Sequence, residues 1–146
     1  MARARFKYMP HTADVEFIAY GRSFKGLLEN AALAMLGVMF DAGKIRRDAA
    51  KARTARITER ATNEEDMLWF ALQKIVSKVD EKKLNAFGFK VNMISKSAAG
   101  MVLHGCIFYK RTKRYAALLD VKGVTPHGLK ISRGKNGYSA RVTVDV

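Results

Sequence analysis

The stretch that decides the fold reads DVEFIAYGRSFKGLLENAALAMLGVM, from residue 14 to residue 39. It opens with apolar residues at every second position, namely Val15, Phe17 and Ala19. A period of two is typical of a β-strand that buries one face. The first seven residues are therefore predicted to form a strand, which Gly21 ends.

A helix is predicted in the remainder of the same stretch. Ser23 is a suitable N-cap because its hydroxyl oxygen can accept a hydrogen bond from the unpaired N–H groups of a first turn. Apolar residues then recur at spacings of three and four, which predicts a helix with a buried stripe that ends at about Met39. The members of this stripe are Leu27, Leu28, Ala31, Ala32, Met35, Leu36 and Met39.

The rest of the chain is predicted to add a strand, a second helix and a series of strands. Residues 44–53 are basic and lack a pattern, so we expect a loop there, followed by a strand at residues 53–59. Thr62 and Glu65 form a capping box that predicts a helix extending to about Asp80. The strands expected after residue 86 are Phe87–Ser95, Met101–Tyr109, Tyr115–Thr125, His127–Ser132 and Tyr138–Val146.

This order of elements predicts an α+β fold, with a mixed β-sheet of about six strands packed against two α-helices. The 146 residues are expected to form a single domain, 1–146, which is large enough to bury a core.

No apolar run reaches the roughly 18 residues that a membrane span requires. The basic N-terminus is not followed by a signal-peptide core, and Cys106 is the only cysteine. We therefore expect a cytoplasmic protein without a membrane partner.

The chain is strongly basic. It has 27 Lys and Arg residues against 13 Asp and Glu residues, a formal net charge of +14. A balance of this kind attracts nucleic acids and other polyanions. It is equally compatible with a soluble basic surface that has no specific ligand, because net charge alone does not define a site.

The sequence contains no recognisable catalytic constellation. It has no glycine-rich phosphate loop and no nucleophile elbow. Cys106 lies in an apolar strand without an adjacent base, and is expected to be buried and inert. The three histidines lack the spacing of a zinc motif. A metal-dependent hydrolase is a weak hypothesis for the same reason, because a few acids without a base or nucleophile do not specify a reaction.

The end of the chain carries two candidate metal ligands. Asp145 alternates with the apolar residues of the last predicted strand and should face outward, and Val146 adds an α-carboxylate if it is the native terminus. With an aspartate from elsewhere, these groups would form an all-oxygen site suited to Ca²⁺, Mg²⁺ or Mn²⁺. On these residues alone, an exposed aspartate at a frayed end is the favoured interpretation.

Several short motifs occur in order along nearly the whole chain. An opening signature precedes the first strand, a strand-ending aromatic-Gly pair and a helical motif follow, and a Val-Lys motif and an apolar-Asp-apolar ending close the chain. These motifs are His11-Thr12-Ala13-Asp14, Tyr20-Gly21, Glu29-Asn30-Ala31-Ala32-Leu33-Ala34-Met35, Val38-Met39-Phe40-Asp41, Val121-Lys122-Gly123-Val124-Thr125-Pro126-His127 and Val144-Asp145-Val146. Together they resemble the motifs of the archease family.

The resemblance implies an α+β fold with a mixed sheet and two helices. It also implies a protein that is not an enzyme, but an accessory activator of the RtcB-type RNA ligase of tRNA splicing, which it assists by promoting ligase guanylylation and multiple turnover. In the family the acids matching Asp14 and Asp145 bind a divalent ion, taken to be calcium, and the residue matching Val146 contributes. Asp41 matches another family acid and is an additional candidate.

The chain departs from the family pattern in its charge and in two segments. Gln73 and Lys74 replace a more acidic pair in the second helix. A basic loop replaces the usual Gly-Glu loop, and it could contact tRNA or be a solvated turn. Its candidate contact residues are Lys110, Arg111, Lys113 and Arg114. The alternative function is therefore a basic RNA-binding or chaperone-like module without a specific metal role.

Overall fold

The computed structural model describes residues 4–10, 14–112 and 118–146, which form seven strands and three helices. The α+β class is confirmed. The elements in chain order are β1 Phe6–Met9, β2 Val15–Gly21, α1 Phe24–Met39, α2 Ala42–Arg47, β3 Ala52–Ala61, α3 Glu64–Lys82, β4 Asn85–Ser97, β5 Gly100–Lys110, β6 Gly123–Gly134 and β7 Gly137–Asp145.

The strands of the described chain form two sheets rather than the single mixed sheet expected from the sequence. Sheet A has the order β1-β2-β7-β6 and sheet B the order β3-β5-β4, and every hydrogen-bonded pair is antiparallel. Tight turns join β4 to β5 and β6 to β7, and such turns can only join antiparallel neighbours. The strands that α3 connects, β3 and β4, run in the same direction but are separated by β5.

Helix α1 lies between the two sheets. It packs against β2 and β7 of sheet A and against β4 of sheet B, while α3 packs against β3 and β6. The polar side chains of α1 also bind both sheets. Asn30 Nδ2 donates to the carbonyl oxygen of Tyr20 at 2.6 Å, and Glu29 Oε2 accepts from Val91 N at 2.9 Å. The buried side chains of helices and sheets consequently form one hydrophobic cluster.

Each of the two long helices begins at a polar N-cap residue. The cap of α1 is the predicted one, and the cap of α3 lies one residue after the predicted position. Ser23 Oγ accepts from Gly26 N at 3.1 Å, as predicted. At α3 the N-cap is Asn63 rather than Thr62, because the Asn63 side chain accepts from Asp66 N at 2.8 Å and donates to the Asp66 carboxylate at 3.0 Å. An asparagine side chain has both an acceptor oxygen and N–H donors, and asparagine ranks above threonine as an N-cap residue.

Three segments differ from the sequence-based expectation. Strand β1 was not predicted, and α2 occupies part of the expected basic loop. Of the strand expected at residues 115–125, residues 118–122 are not strand, and β6 begins at Gly123. The strand expected at residues 127–132 lies within β6, whose register with β7 is irregular between Thr125 and Lys130. Strand β1 has four residues and α2 has six, too few for a period to show, and Pro126 and Gly128 interrupt the pattern of β6.

Strand β1 is held by Tyr8, whose hydroxyl donates to the carbonyl oxygen of Ala34 at 2.8 Å. Partial burial raises the pKa of the Tyr8 hydroxyl above its usual value of 10.0. The folded protein favours the neutral phenol of Tyr8. The stability that Tyr8 contributes is therefore fully present at neutral pH, and it is lost only as the pH rises through the folded-state pKa.

The N-cap of α3 lies at Asn63 and not at Thr62, so alanine substitutions at these two adjacent residues should differ in their effect on stability. Replacing Asn63 by alanine should lower the free energy of unfolding by about 1 kcal/mol, because the first turn loses its side-chain acceptor. The matched variant Thr62→Ala should change it by less than about 0.5 kcal/mol. Urea denaturation of both variants measures the difference, and a larger effect at Thr62 would restore the sequence-based assignment.

Candidate functional site

The register of sheet A brings Asp14 and Asp145 to the same end of one ladder. Val15, the first residue of β2, pairs with Val144 of β7. Asp14 precedes Val15 and Asp145 follows Val144, so in an antiparallel pair the two acids continue the ladder opposite one another. Because side chains alternate along a strand and the two valines face the core, both acids belong to the outward face.

The same outward face carries a partly buried ion pair next to the two acids. The Arg141 Nε lies 3.0 Å from Glu16 Oε1, and only 16% of the Glu16 side chain is exposed. Glu16 is two residues from Asp14 on β2, and Arg141 is four residues from Asp145 on β7. The carboxylate of Glu16 is therefore neutralised by its own partner, whereas Asp145 is exposed to solvent.

Strand β6 supports Asp145 from its other side. Gly123 pairs with Asp145, and Lys122 N donates to the carbonyl oxygen of Asp145 at 2.8 Å. The main chain of Asp145 thus lies between two neighbouring strands and is not a frayed end. This position gives its side chain a defined direction out of the sheet.

Helix α3 fixes the start of β6 through two side chains. Gln73 Oε1 accepts from Val124 N at 2.5 Å, and Trp69 Nε1 donates to the carbonyl oxygen of Val124 at 2.7 Å. Both polar groups of Val124 are therefore bonded to α3, while Val124 pairs with Val144 beside Asp145. Sequence reasoning missed these supporting residues, because their partner lies more than fifty positions away and no local pattern indicates it.

The described part of the chain supplies two carboxylates here and not a complete ligand set. No three side chains of the His, Cys, Asp and Glu types come together within it in a way that could hold a metal ion. Asp41 has a different place: it is the N-cap of α2, where its carboxylate accepts from Lys44 N at 3.1 Å. Val146 is half-buried and packs partly against the core. His11, in the opening signature, lies outside the described residues.

The basic loop named as a tRNA-contact candidate is only partly described. Lys113 and Arg114 lie outside the described residues, and Arg111 is exposed. Lys110 is 6% exposed, and its ammonium group donates to the carbonyl oxygens of Arg46 at 2.8 Å and Asp48 at 2.6 Å. In this structure the charge of Lys110 therefore ties α2 to the end of β5 and does not face solvent.

A groove of about 540 Å³ opens near the candidate site. It lies between the ends of α1 and α3 and the segment that leads into β6, and its lining mixes apolar side chains with polar ones such as Asp80 and Asn85. Its last lining residue, Val121, is adjacent to Lys122, which bonds to Asp145. The groove was not predicted, because it is formed by three segments that are distant in sequence.

The fold is that of a class of small α+β proteins in which long helices pack between two antiparallel sheets. The solution structure of Methanobacterium thermoautotrophicum protein 1598 has this architecture, with a TM-score of 0.77, 29% sequence identity, and coverage of 97% of this chain and 99% of that one. The crystal structure of a Thermotoga maritima archease, described as a possible chaperone, has a TM-score of 0.59 at 17% identity over the whole of both chains, which is a likeness of fold alone.

Residues 6–146 match the model of the Archease protein family (MTH1598/TM1083), and the chain belongs to the archease family. It is 31% identical over 144 residues to the protein archease of Sulfolobus acidocaldarius, with coverage of 97% of this chain and 99% of the relative. It is 27% identical over 146 residues to that of Methanosarcina acetivorans, with coverage of 97% and 96%. The resemblance seen in the motifs is thereby confirmed.

These relatives are named as archeases and, in one case, as a possible chaperone, and not by a reaction. Among the described residues, no helix is both long and apolar enough to cross a membrane.

The support of β6 by Gln73 is testable. In Gln73→Ala the N–H of Val124, a residue only 4% exposed, loses its acceptor, which should cost about 1–3 kcal/mol of stability. The matched variant Gln73→Glu keeps an acceptor oxygen and should lose less. Hydrogen exchange at the Val124 amide reports the local effect. Equal protection in the two variants would mean that Gln73 does not hold this strand.

Proposed function

We propose that this protein is an accessory activator of an RtcB-type RNA ligase in tRNA splicing, and that it promotes guanylylation and repeated turnover of the ligase. The observation that carries the proposal is the register of β2 with β7, which places two family-matched acids, Asp14 and Asp145, at one end of one ladder. Membership of the archease family supports the same function. The protein itself is proposed to catalyse no reaction.

The two acids are proposed to hold a divalent cation, Ca²⁺ as in the family or Mg²⁺ or Mn²⁺. Their donor chemistry fits such an ion, because carboxylate oxygens are the ligands that hard divalent cations prefer. Two carboxylates leave part of the coordination shell to main-chain oxygen, including that of Val146, and to water or a partner. When bound, the ion would supply positive charge at a surface that a partner can reach.

The defined surroundings of Asp145 favour this role over that of a loose acidic patch. Asp145 is bonded through its main chain to β6, which α3 holds through Val124. The nearby Glu16 is paired with Arg141 and does not compete for the ion. Two carboxylates held at neighbouring ladder positions repel one another, and a shared cation relieves that repulsion.

Metal binding is tested by calorimetric titration with Ca²⁺, Mg²⁺ and Mn²⁺. Asp14→Asn and Asp145→Asn should each weaken binding at least about tenfold, since a ligand charge is lost while side-chain shape is kept. Asp41→Asn is the matched control, because asparagine caps a helix as well as aspartate does. The two-acid site would be refuted by unchanged binding in both site variants, and a loss in Asp41→Asn would add that residue to the ligands.

Ligase activation is tested by multiple-turnover sealing of a broken tRNA by the cognate ligase, with this protein in sub-stoichiometric amount. The wild type and Asp41→Asn should stimulate turnover, and Asp14→Asn and Asp145→Asn should not. Activity of the ligase in a single turnover serves as the control. Stimulation by all four proteins would show that the acids are not required, and stimulation by none would contradict the ligase role.

The alternative is a basic RNA-binding or chaperone-like module without a specific metal role. The net charge of +14 favours it, because that charge attracts RNA whether or not the acids bind an ion. The ligase-activator function requires Asp14 and Asp145, whereas the RNA-binding alternative requires only positive charge. The alternative predicts RNA affinity that falls steeply with salt and is indifferent to Asp14 and Asp145.

A further inference from the structure

Sheet B has an outward face opposite the helices. Helices α1 and α3 pack on its inner side, where β5 contributes Leu103 and Ile107 to the core. The intervening side chains of the three strands point the other way, and most of them are exposed. We call this outward surface the sheet B face. Its described side chains are Thr54, Arg56, Thr58 and Arg60 on β3, Val102, His104, Cys106 and Phe108 on β5, and Lys90, Met93 and Ser95 on β4.

The sheet B face is cationic. Arg56 and Lys90 both pair with Cys106, which is half-buried here rather than buried as expected, so they stand on either side of the central strand. None of the side chains that make up the face is an Asp or a Glu. The nearest acid along β3, Glu59, belongs to the inner side and lies 3.7 Å from the ammonium group of Lys74 on α3. The positive charges of the face are thus not balanced within it.

Two rings lie on the central strand between these cations. His104 is exposed, and its Nδ1 lies 3.3 Å from Thr58 Oγ1, which orients the imidazole. Phe108 follows four residues later on the same face, and its ring lies 6.1 Å from that of Phe87. Phe108 is not among the apolar side chains packed on the core. The Phe108 side chain is partly exposed, and its exposed part lies on the open side of the sheet.

A shallow depression of about 410 Å³ crosses the sheet B face beside His104. Arg56, Thr58 and Asn92 also line it, so it combines a cation with hydrogen-bonding groups. Its size falls in the range of small-ligand sites, about 300–1,000 Å³. The positions from Thr54 to Arg60 span about 20 Å along β3, which is enough for several nucleotides.

We propose that the sheet B face binds single-stranded nucleic acid. Arginine and lysine on the flanking strands would meet phosphates, while His104 and Phe108 on the central strand would stack on bases. A duplex keeps its bases stacked inside and could use only the cations, whereas unpaired bases can reach rings on an open sheet. The inference goes beyond the proposed ligase role and is independent of it, because it concerns the opposite sheet and needs no ligase.

Binding can be measured by fluorescence anisotropy with labelled single-stranded RNA and DNA of about 12 nucleotides, over a series of salt concentrations. The double variant Arg56→Gln/Lys90→Gln should bind at least about tenfold more weakly, and the slope of log affinity against log salt should fall by about 1.4, or 0.7 for each lost contact. His104→Ala should weaken binding about tenfold and leave the salt slope unchanged. The comparison of RNA with DNA identifies which polymer the face prefers.

The matched control is Lys25→Gln/Lys82→Gln, which removes the same charge from exposed positions of α1 and α3. It should lower affinity by less than about twofold, and thermal unfolding should confirm that all variants are folded.

Equal losses of affinity in the two double variants would show that binding is general charge attraction, and would overturn the proposal. Equally tight binding of duplex RNA would overturn it too. So would a double variant that keeps its RNA affinity but no longer stimulates the ligase, since the face would then contact protein.

Discussion

The packing of α1 between the two sheets is the constraint on which the rest of the structure depends. A helix buried on two sides cannot keep a polar face, and ten of its sixteen residues are buried accordingly. Its two central polar residues are satisfied by main chain, Asn30 on sheet A and Glu29 on sheet B. A buried polar group without a partner would cost about 1–3 kcal/mol, so these bonds also fix how the helix sits between the sheets.

Because the helices occupy the space between the sheets, the outer faces of both sheets are directed to solvent. The two faces carry different side chains. The outer side of sheet A carries Asp14, Glu16 and Asp145 at one end, whereas the sheet B face carries cations and rings. Arg141 lies on the same face as the acids of sheet A and pairs with Glu16, so that face carries both signs of charge, whereas the described side chains of the sheet B face include no Asp or Glu.

Much of the fold could be predicted from local pattern. The N-cap Ser23, the buried stripe of α1 and the approximate extent of both long helices follow from chemistry within a few residues. The predictions failed where neighbouring residues compete or where a pattern is too short: the cap of α3 is at Asn63, and α2 has six residues. Lys110 looked like a solvent-facing loop cation, but two carbonyl groups from the α2 region enclose it.

The sequence by itself determined the two long helices and several of the strands and indicated, through its motifs, the family and the acids of the candidate site. Local periodicity and capping act over a few residues and can be read from one chain. The tertiary structure alone decided that there are two antiparallel sheets, that Asp14 and Asp145 end the same ladder, and that α3 holds Val124 beside them. Strand order and register arise from contacts between distant segments, and a shift of one residue would turn every side chain to the other face.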